Sequence, residues 1–198
     1  PEFAALRETT LAHRDGPVQR ILIAMGLTDV GGITARVIER IRPRTPDIAL
    51  DIVLGESAPS LPGLSRIARR DERLTLHVDT PRMAELTADA DIAIGAPGSS
   101  TWERCVLGLP SLLVALADNQ RPAARSLAEG GAALVADIAE PGFDEAFDRA
   151  FLRLLRDEAL RTRLSNASAA LCDGLGAQRT AEAFLKLIAG RHAHPSGA

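Results

Sequence analysis

The stretch IGAPGSSTWERCVLGLP, residues 94–110, closes an apolar run, turns through Gly, Pro and Ser, and opens a helical pattern at Ser-Thr-Trp-Glu. Trp102, Cys105, Val106 and Leu109 fall at i, i+3, i+4 and i+7, the spacing of one buried helix face. A strand, a tight turn and an amphipathic helix make one β–α unit, and the same grammar recurs on both sides. The β-rich runs are RILIAM (20–25), ALDIVL (49–54), LTLHV (74–78), DIAIG (91–95), SLLVAL (111–116) and AALV (132–135). Several are apolar at consecutive positions, as parallel strands covered on both faces must be. Helical spacing returns between them, as at Ile33, Val37, Ile38 and Ile41. This alternation predicts an α/β fold, a Rossmann-like parallel sheet flanked by helices and wound in the right-handed sense. After Asp137 the strands stop. Phe143, Phe147, Phe151 and Leu154 mark one helix, and Ala181, Phe184, Leu185 and Ile188 mark the last.

The expected organisation is a linker over 1–18, one Rossmann-like domain with C-terminal helices over 19–190, and a flexible tail over 191–198. The opening PEFAALRETTLAHRDGPVQR reads as the continuation of something larger. Composition narrows the function. A hydrophobic content of 46% with 25% charged residues is that of a globule able to bury a core. The net charge of −3, the lack of a basic run and an aromatic content of 3% argue against a nucleic-acid partner. No apolar run approaches a membrane span and no signal peptide is evident, so a cytoplasmic protein is expected. Cys105 and Cys172 lie far apart on expected helices, outside any metal-binding or redox motif, and read as packing residues.

In an open parallel sheet, ligands bind beyond the carboxyl ends of the strands. Three loops there could carry chemistry. The first, MGLTDVGGIT (25–34), has Gly26 to let backbone approach a ligand and Thr28 or Asp29 to orient it; turn and cap chemistry explains the same letters. It is neither a dinucleotide fingerprint nor a Walker A loop. The second is the opening stretch. Gly98, Ser99, Ser100 and Thr101 bring free N–H groups and hydroxyls to the positive end of a helix, which suits a phosphate or diphosphate. Ser100 and Glu103 also have the S-x-x-E spacing of a capping box, so Glu103 has two possible roles. The third loop, ALADNQRPAARSL (115–127), offers Asp118, Asn119 and Gln120 to sugar hydroxyls, or an N-cap followed by a Pro. His77, a lone histidine near a strand end, reads as structural before catalytic. No metal-ligand cluster and no cofactor motif is visible.

The string GAPGSSTWERCVLGLPSLLVALADNQRPAARSLAEGGAAL (95–134) resembles UDP-2,4-diacetamido-2,4,6-trideoxy-β-L-altropyranose hydrolases of pseudaminic acid biosynthesis. It is also similar to the nucleotide-binding half of GT-B glycosyltransferases, including the GlcNAc transferase that makes lipid II. The shared spacing is a Gly/Ser-rich loop, Glu103, then Gly108-Leu109-Pro110, a strand and an Asn-Gln pair. Trp-Glu-Arg-Cys and Ala-Asp-Asn-Gln-Arg-Pro favour the hydrolases. More loosely, the resemblance runs from about Arg20 to Ile188.

The resemblance implies the C-terminal half of a GT-B fold. It assigns the UDP diphosphate to Gly98, Ser99, Ser100 and Thr101, and the ribose hydroxyls to Glu103. The loop 77–83, with His77 and backbone groups near Val78, would border the uracil, Asn119 and Gln120 would touch the sugar, and Gly26, Thr28 and Asp29 would face the interdomain cleft. Leu27, Val30 and Gly32 depart from the usual loop, which bears on the identity of the sugar. The implied partners are a UDP-sugar substrate and an N-terminal domain absent from this sequence. The resemblance places the water-activating His on that domain, so no residue here is assigned as catalytic base. The implied reaction is metal-independent hydrolysis of a UDP-sugar at its anomeric carbon with inversion; transfer of the sugar to an acceptor, or non-catalytic binding, are the alternatives.

Overall fold

A computed structural model describes residues 2–192, with side chains through Ile188. In chain order the elements are α1 (Glu2–Leu11), β1 (Arg20–Ala24), α2 (Ile33–Ile41), β2 (Ala49–Leu54), α3 (Leu61–Ala68), β3 (Leu74–Val78), α4 (Met83–Asp89), β4 (Ile92–Gly95), α5 (Ser100–Val106), β5 (Ser111–Ala115), α6 (Arg121–Glu129), β6 (Leu134–Asp137), α7 (Phe143–Arg156), α8 (Glu158–Leu171) and α9 (Gly176–His192). Short 3₁₀ turns precede α2 and α6 and follow α2.

The six strands form one sheet in the order β3-β2-β1-β4-β5-β6, and every neighbouring pair is parallel. Alternate residues of each strand point to opposite faces. One face carries Ile21, Ile23, Ile52, Ile94, Leu112 and Val114 against the apolar stripes of α2 and α7. On the other, Leu22, Val53 and Ala93 meet Leu86 of α4, while Leu113 meets Cys105 of α5 and Leu127 of α6. Both faces are covered, which is why the strands read as nearly continuous apolar runs. Burial pushes the Cys105 thiol up to about 11, so it is an unreactive packing group at neutral pH.

The sequence locates all six strands, with β6 two residues later than the run AALV (132–135). The cause is the exit from α6. Gly131 is left-handed at φ +66°, Ala132 N–H donates to Leu127 O at 2.8 Å, and Gly131 N–H donates to Ala128 O at 3.0 Å. These are the paired bonds of a Schellman turn, and they hold Ala132 outside the strand.

Three further differences have physical reasons. Trp102, expected on the buried face of its helix, is 50% exposed, because Thr101, Arg104 and Cys105 are the residues turned toward the sheet. The segment expected as a linker is helical over α1 and fastened to the domain by arginines. Arg7 donates to the carbonyls of Val106, Ala169 and Cys172, at the ends of α5 and α8, and Arg14 donates to those of Thr87, Ala90 and Leu107, at the ends of α4 and α5. Helix C-termini are electronegative and leave carbonyls without partners, so a guanidinium fork satisfies both needs. Lastly, α9 forms as expected, but Phe184, Leu185 and Ile188 are 62%, 66% and 54% exposed, so the described chain leaves its apolar stripe uncovered. Of the expected tail 191–198, the residues beyond His192 lie outside the described residues.

Candidate functional site

The chain runs β1, β2, β3 outward and then returns to place β4 beside β1. The loops after β1 and β4 therefore diverge to opposite sides and open a crevice, the position where such sheets bind ligands. A cavity of about 420 Å³ lies there, lined by Ala24, Gly26, Leu27, Val53, Asp79, Thr80, Met83, Ser100 and Glu103. A second, of about 450 Å³, adjoins it and shares Leu27 and Asp79; Thr28, Gly55, Glu56 and Ser57 complete its wall.

The β4–α5 turn is wound tightly. Gly98 N–H donates to Ala96 O and Thr101 N–H to Gly98 O, each at 3.0 Å, so two of the expected donors are already used. The N–H groups of Ser99 and Ser100 make no hydrogen bond among the described residues. Ser99 is the N-cap residue and no side chain caps the helix. The capping box is therefore not formed. Glu103 has neither hydrogen bond nor ion pair among the described residues, and its carboxylate borders the cavity beside Ser100.

Beneath this turn lies Arg104, which sequence reasoning passed over. It is 3% exposed, and its guanidinium donates to Ala96 O at 3.0 Å, Thr101 Oγ1 at 3.0 Å and Ser100 Oγ at 3.2 Å. Helical side chains lean toward the N-terminus of their helix, which brings Arg104 back under the first turn.

The loop after β1 divides its roles. Gly26 reaches the first cavity and Thr28 the second, but Asp29 faces neither. Asp29 is fully buried and left-handed at φ +44°; its carboxylate accepts from Thr34 N–H at 2.9 Å and Ser60 N–H at 3.1 Å. The expectation that it faces a cleft is corrected: it is a brace between the loops after β1 and β2.

His77 is likewise drawn inward. Its Nε2 lies 2.7 Å from Asp51 Oδ1, and Asp51 Oδ2 accepts from Arg20 Nη1 at 2.6 Å, so one polar strut crosses β1, β2 and β3. A buried carboxylate is tolerated when paired in this way. Val78 is 42% exposed at the strand end, while the next residues, Asp79 and Thr80, line the cavity. Asp79 is left-handed at φ +45°, a conformation Asp tolerates, and its Oδ2 accepts from Glu56 N–H at 3.0 Å. An Asp directly after a strand was the available signal for this turn.

Asn119 and Gln120 stand at the end of β5, one strand beyond β4. Gln120 Oε1 accepts from Leu116 N–H at 2.9 Å and closes its own turn, whereas Asn119 is exposed. Arg121 holds this loop by pairing with Asp118 and Asp137, and it keeps the Asp137 carboxyl below its ordinary value. Among the described residues no group of three or more potential ligands could hold a metal, and no helix is long and apolar enough to cross a membrane.

Known proteins place this architecture. The chain is 29% identical over 179 residues to the spore coat polysaccharide biosynthesis protein SpsG of Bacillus subtilis (strain 168), covering 89% of this chain and 52% of SpsG. It thus spans about half the length of that relative. Among solved structures, MurG of Acinetobacter baumannii superposes with a TM-score of 0.70 at 19% identity, over 93% of this chain and 55% of MurG. A UDP-N-acetylglucosamine 2-epimerase superposes with a TM-score of 0.61 at 20% identity, over 99% of this chain and 52% of the epimerase. No family model matches the chain. The fold is the Rossmann-like half of a GT-B protein.

Proposed function

We propose that this chain is the nucleotide-sugar-binding half of an enzyme that breaks the bond between a sugar and UDP. The observation that carries the reading is the pair of unpartnered groups on residues that line the crevice between β1 and β4, the Glu103 carboxylate and the Ser100 N–H, next to exposed Ser99 with its equally unpartnered N–H. A carboxylate accepts from the paired hydroxyls of a ribose, and oriented N–H donors accept the charge of a diphosphate. In this reading the turn Gly98–Thr101 holds the diphosphate, Glu103 the ribose, and the rim at Val78–Thr80 the uracil, with Asn119 and the amide nitrogen of Gln120 toward the sugar. His77 stays a strut beneath the rim.

Such a site acts on the leaving group. As the anomeric C–O bond breaks, negative charge builds on the departing diphosphate, and pre-aimed donors stabilise it with little reorganisation. Losing one donor of this kind costs about 3–4 kcal/mol of barrier in other enzymes.

Two outcomes remain for the sugar. The presence among the similar folds of WaaG, a glycosyltransferase involved in lipopolysaccharide biosynthesis, supports passage to an acceptor. The Trp-Glu-Arg-Cys and Ala-Asp-Asn-Gln-Arg-Pro segments support attack by water on a UDP-linked diacetamido-trideoxy sugar, with the base on a partner domain. Incubating the protein, joined to its partner domain, with UDP-sugars and following products by NMR separates them. Free sugar and UDP without an added acceptor is hydrolysis. UDP release only with an acceptor is transfer. Release of neither under both conditions contradicts the proposal.

A further inference from the structure

Several arginines among the described residues have guanidinium groups directed at helix ends, and Arg7, Arg14 and Arg161 meet the favourable end. Arg7 and Arg14 donate to carbonyls closing α4, α5 and α8, and Arg161 donates to Leu154 O and Leu155 O at the end of α7. Those C-termini carry partial negative charge that answers the cation. Arg104 does the opposite. Its guanidinium lies under the first turn of α5, where the helix dipole is positive, and touches only the neutral oxygens of Ala96, Ser100 and Thr101. Its Nε has no partner, and no described carboxylate forms an ion pair with it. Burial lowers its pKa to about 10, which still leaves it protonated at neutral pH. A buried, unpaired cation is costly, and placing it at a positive helix end adds to the cost.

The surrounding structure makes room for this arrangement. A Cβ on Gly95 would stand 2.8 Å from Arg104 Nη1 and 2.8 Å from Ala24 O, so only a bare strand end admits the guanidinium. Ser100 stands between the cation and the cavity. Because Arg104 Nη1 donates to Ser100 Oγ, a lone pair of that oxygen is occupied and the hydroxyl hydrogen is free to turn toward the cavity that Ser100 lines. The unpartnered N–H groups of Ser99 and Ser100 belong to the same turn. The protein supplies donors and positive charge here; Glu103 is the neighbouring carboxylate whose charge acts to raise the Arg104 pKa, but it makes no hydrogen bond or ion pair with the guanidinium or the turn among the described residues.

We infer that Arg104 is a positioning residue for an anionic diphosphate: it sets the Ser100 hydroxyl as a donor and lends the turn a charge that the ligand neutralises. The inference rests on the nucleotide reading above and deepens it. Arg104 never touches the ligand; it acts through Ser100 and through the field of the turn.

Calorimetry on the full chain with UDP, uridine and inorganic pyrophosphate tests this, using Arg104→Met, Arg104→Lys and Ser100→Ala. The wild type binds UDP more tightly than uridine. Arg104→Met and Ser100→Ala each weaken UDP and pyrophosphate by about tenfold or more while leaving uridine within about twofold. Arg104→Lys restores part of the loss, and the Met/Ala double variant loses little beyond the worse single change. A merely structural arginine would weaken uridine and UDP together, and that result, or an unchanged UDP-to-uridine ratio in Ser100→Ala, overturns the inference. Should Arg104→Met fail to fold, Ser100→Ala and Arg104→Lys decide. Wild-type binding of pyrophosphate without uridine supports the anion role and defeats the nucleotide reading. Wild-type binding of uridine and UDP with equal strength defeats the anion role alone, and binding of none of the three defeats both.

Discussion

Asp29 and Ser60 are tied by a 3.1 Å hydrogen bond from the Ser60 N–H to Asp29 Oδ2, which joins the loop after β1 to the start of α3. The other carboxylate oxygen accepts from Thr34 N–H, and the residue is fully buried. Replacing Asp29 by Ala strands two buried donors and leaves an ordinary side chain in a left-handed conformation. We expect a loss of about 2–5 kcal/mol in chemical denaturation. Asn, which keeps one acceptor and tolerates that conformation, should cost clearly less. Equal losses would mean that the hydrogen bonds are not the reason Asp stands there.

Removing the Arg14 guanidinium should loosen the N-terminal segment from the domain. Arg14→Met leaves the carbonyls of Thr87, Ala90 and Leu107 without their donor, an expected cost of about 2–4 kcal/mol. Hydrogen exchange should then quicken in α1 and at the end of α4 while β1 and β4 stay protected. Unchanged exchange in α1 would contradict the docking described here.

Much of the sheet was legible because each strand is covered on both faces and must be apolar throughout. Ile33, Val37, Ile38 and Ile41 were legible for the same reason, since an amphipathic stripe has a period. The docking of α1 had none: its grip consists of arginine-to-carbonyl bonds with elements about 70 to 165 residues away, which leave no local pattern. At the site, Gly26, Ser100 and Glu103 could be placed from strand-end loops alone. Asp79, Thr80 and Met83 fall within the loop 77–83 expected beside the uracil, and a left-handed turn after β3 brings them, not the His77 side chain, to the cavity; Arg104 was missed because its side chain leans back along α5. Asp29 and His77 mark the opposite error. A polar residue near a strand end can be used internally, and spacing does not tell which.

Asp173 anchors the start of α9 by accepting from Arg179 and from Leu175 N–H, and chiefly the bond from Arg179 lowers its pKa to about 2. A carboxyl depressed on folding adds stability above its unfolded pKa near about 4, and this is lost as pH falls through the folded value. NMR titration of the Asp173 carboxyl should give a midpoint near about 2, moving up toward about 4 in Arg179→Gln. No movement would show that the pair does not form in solution.

In the proposed reading Glu103 is kept for a ribose and not for its own helix. The most direct measurement is calorimetry of UDP and of pyrophosphate on the wild type and on Glu103→Gln, with thermal midpoints recorded alongside. In Glu103→Gln, UDP binding should weaken by about tenfold or more while pyrophosphate binding and the thermal midpoint stay unchanged. Equal weakening of both ligands, or undiminished UDP binding, would contradict the ribose role.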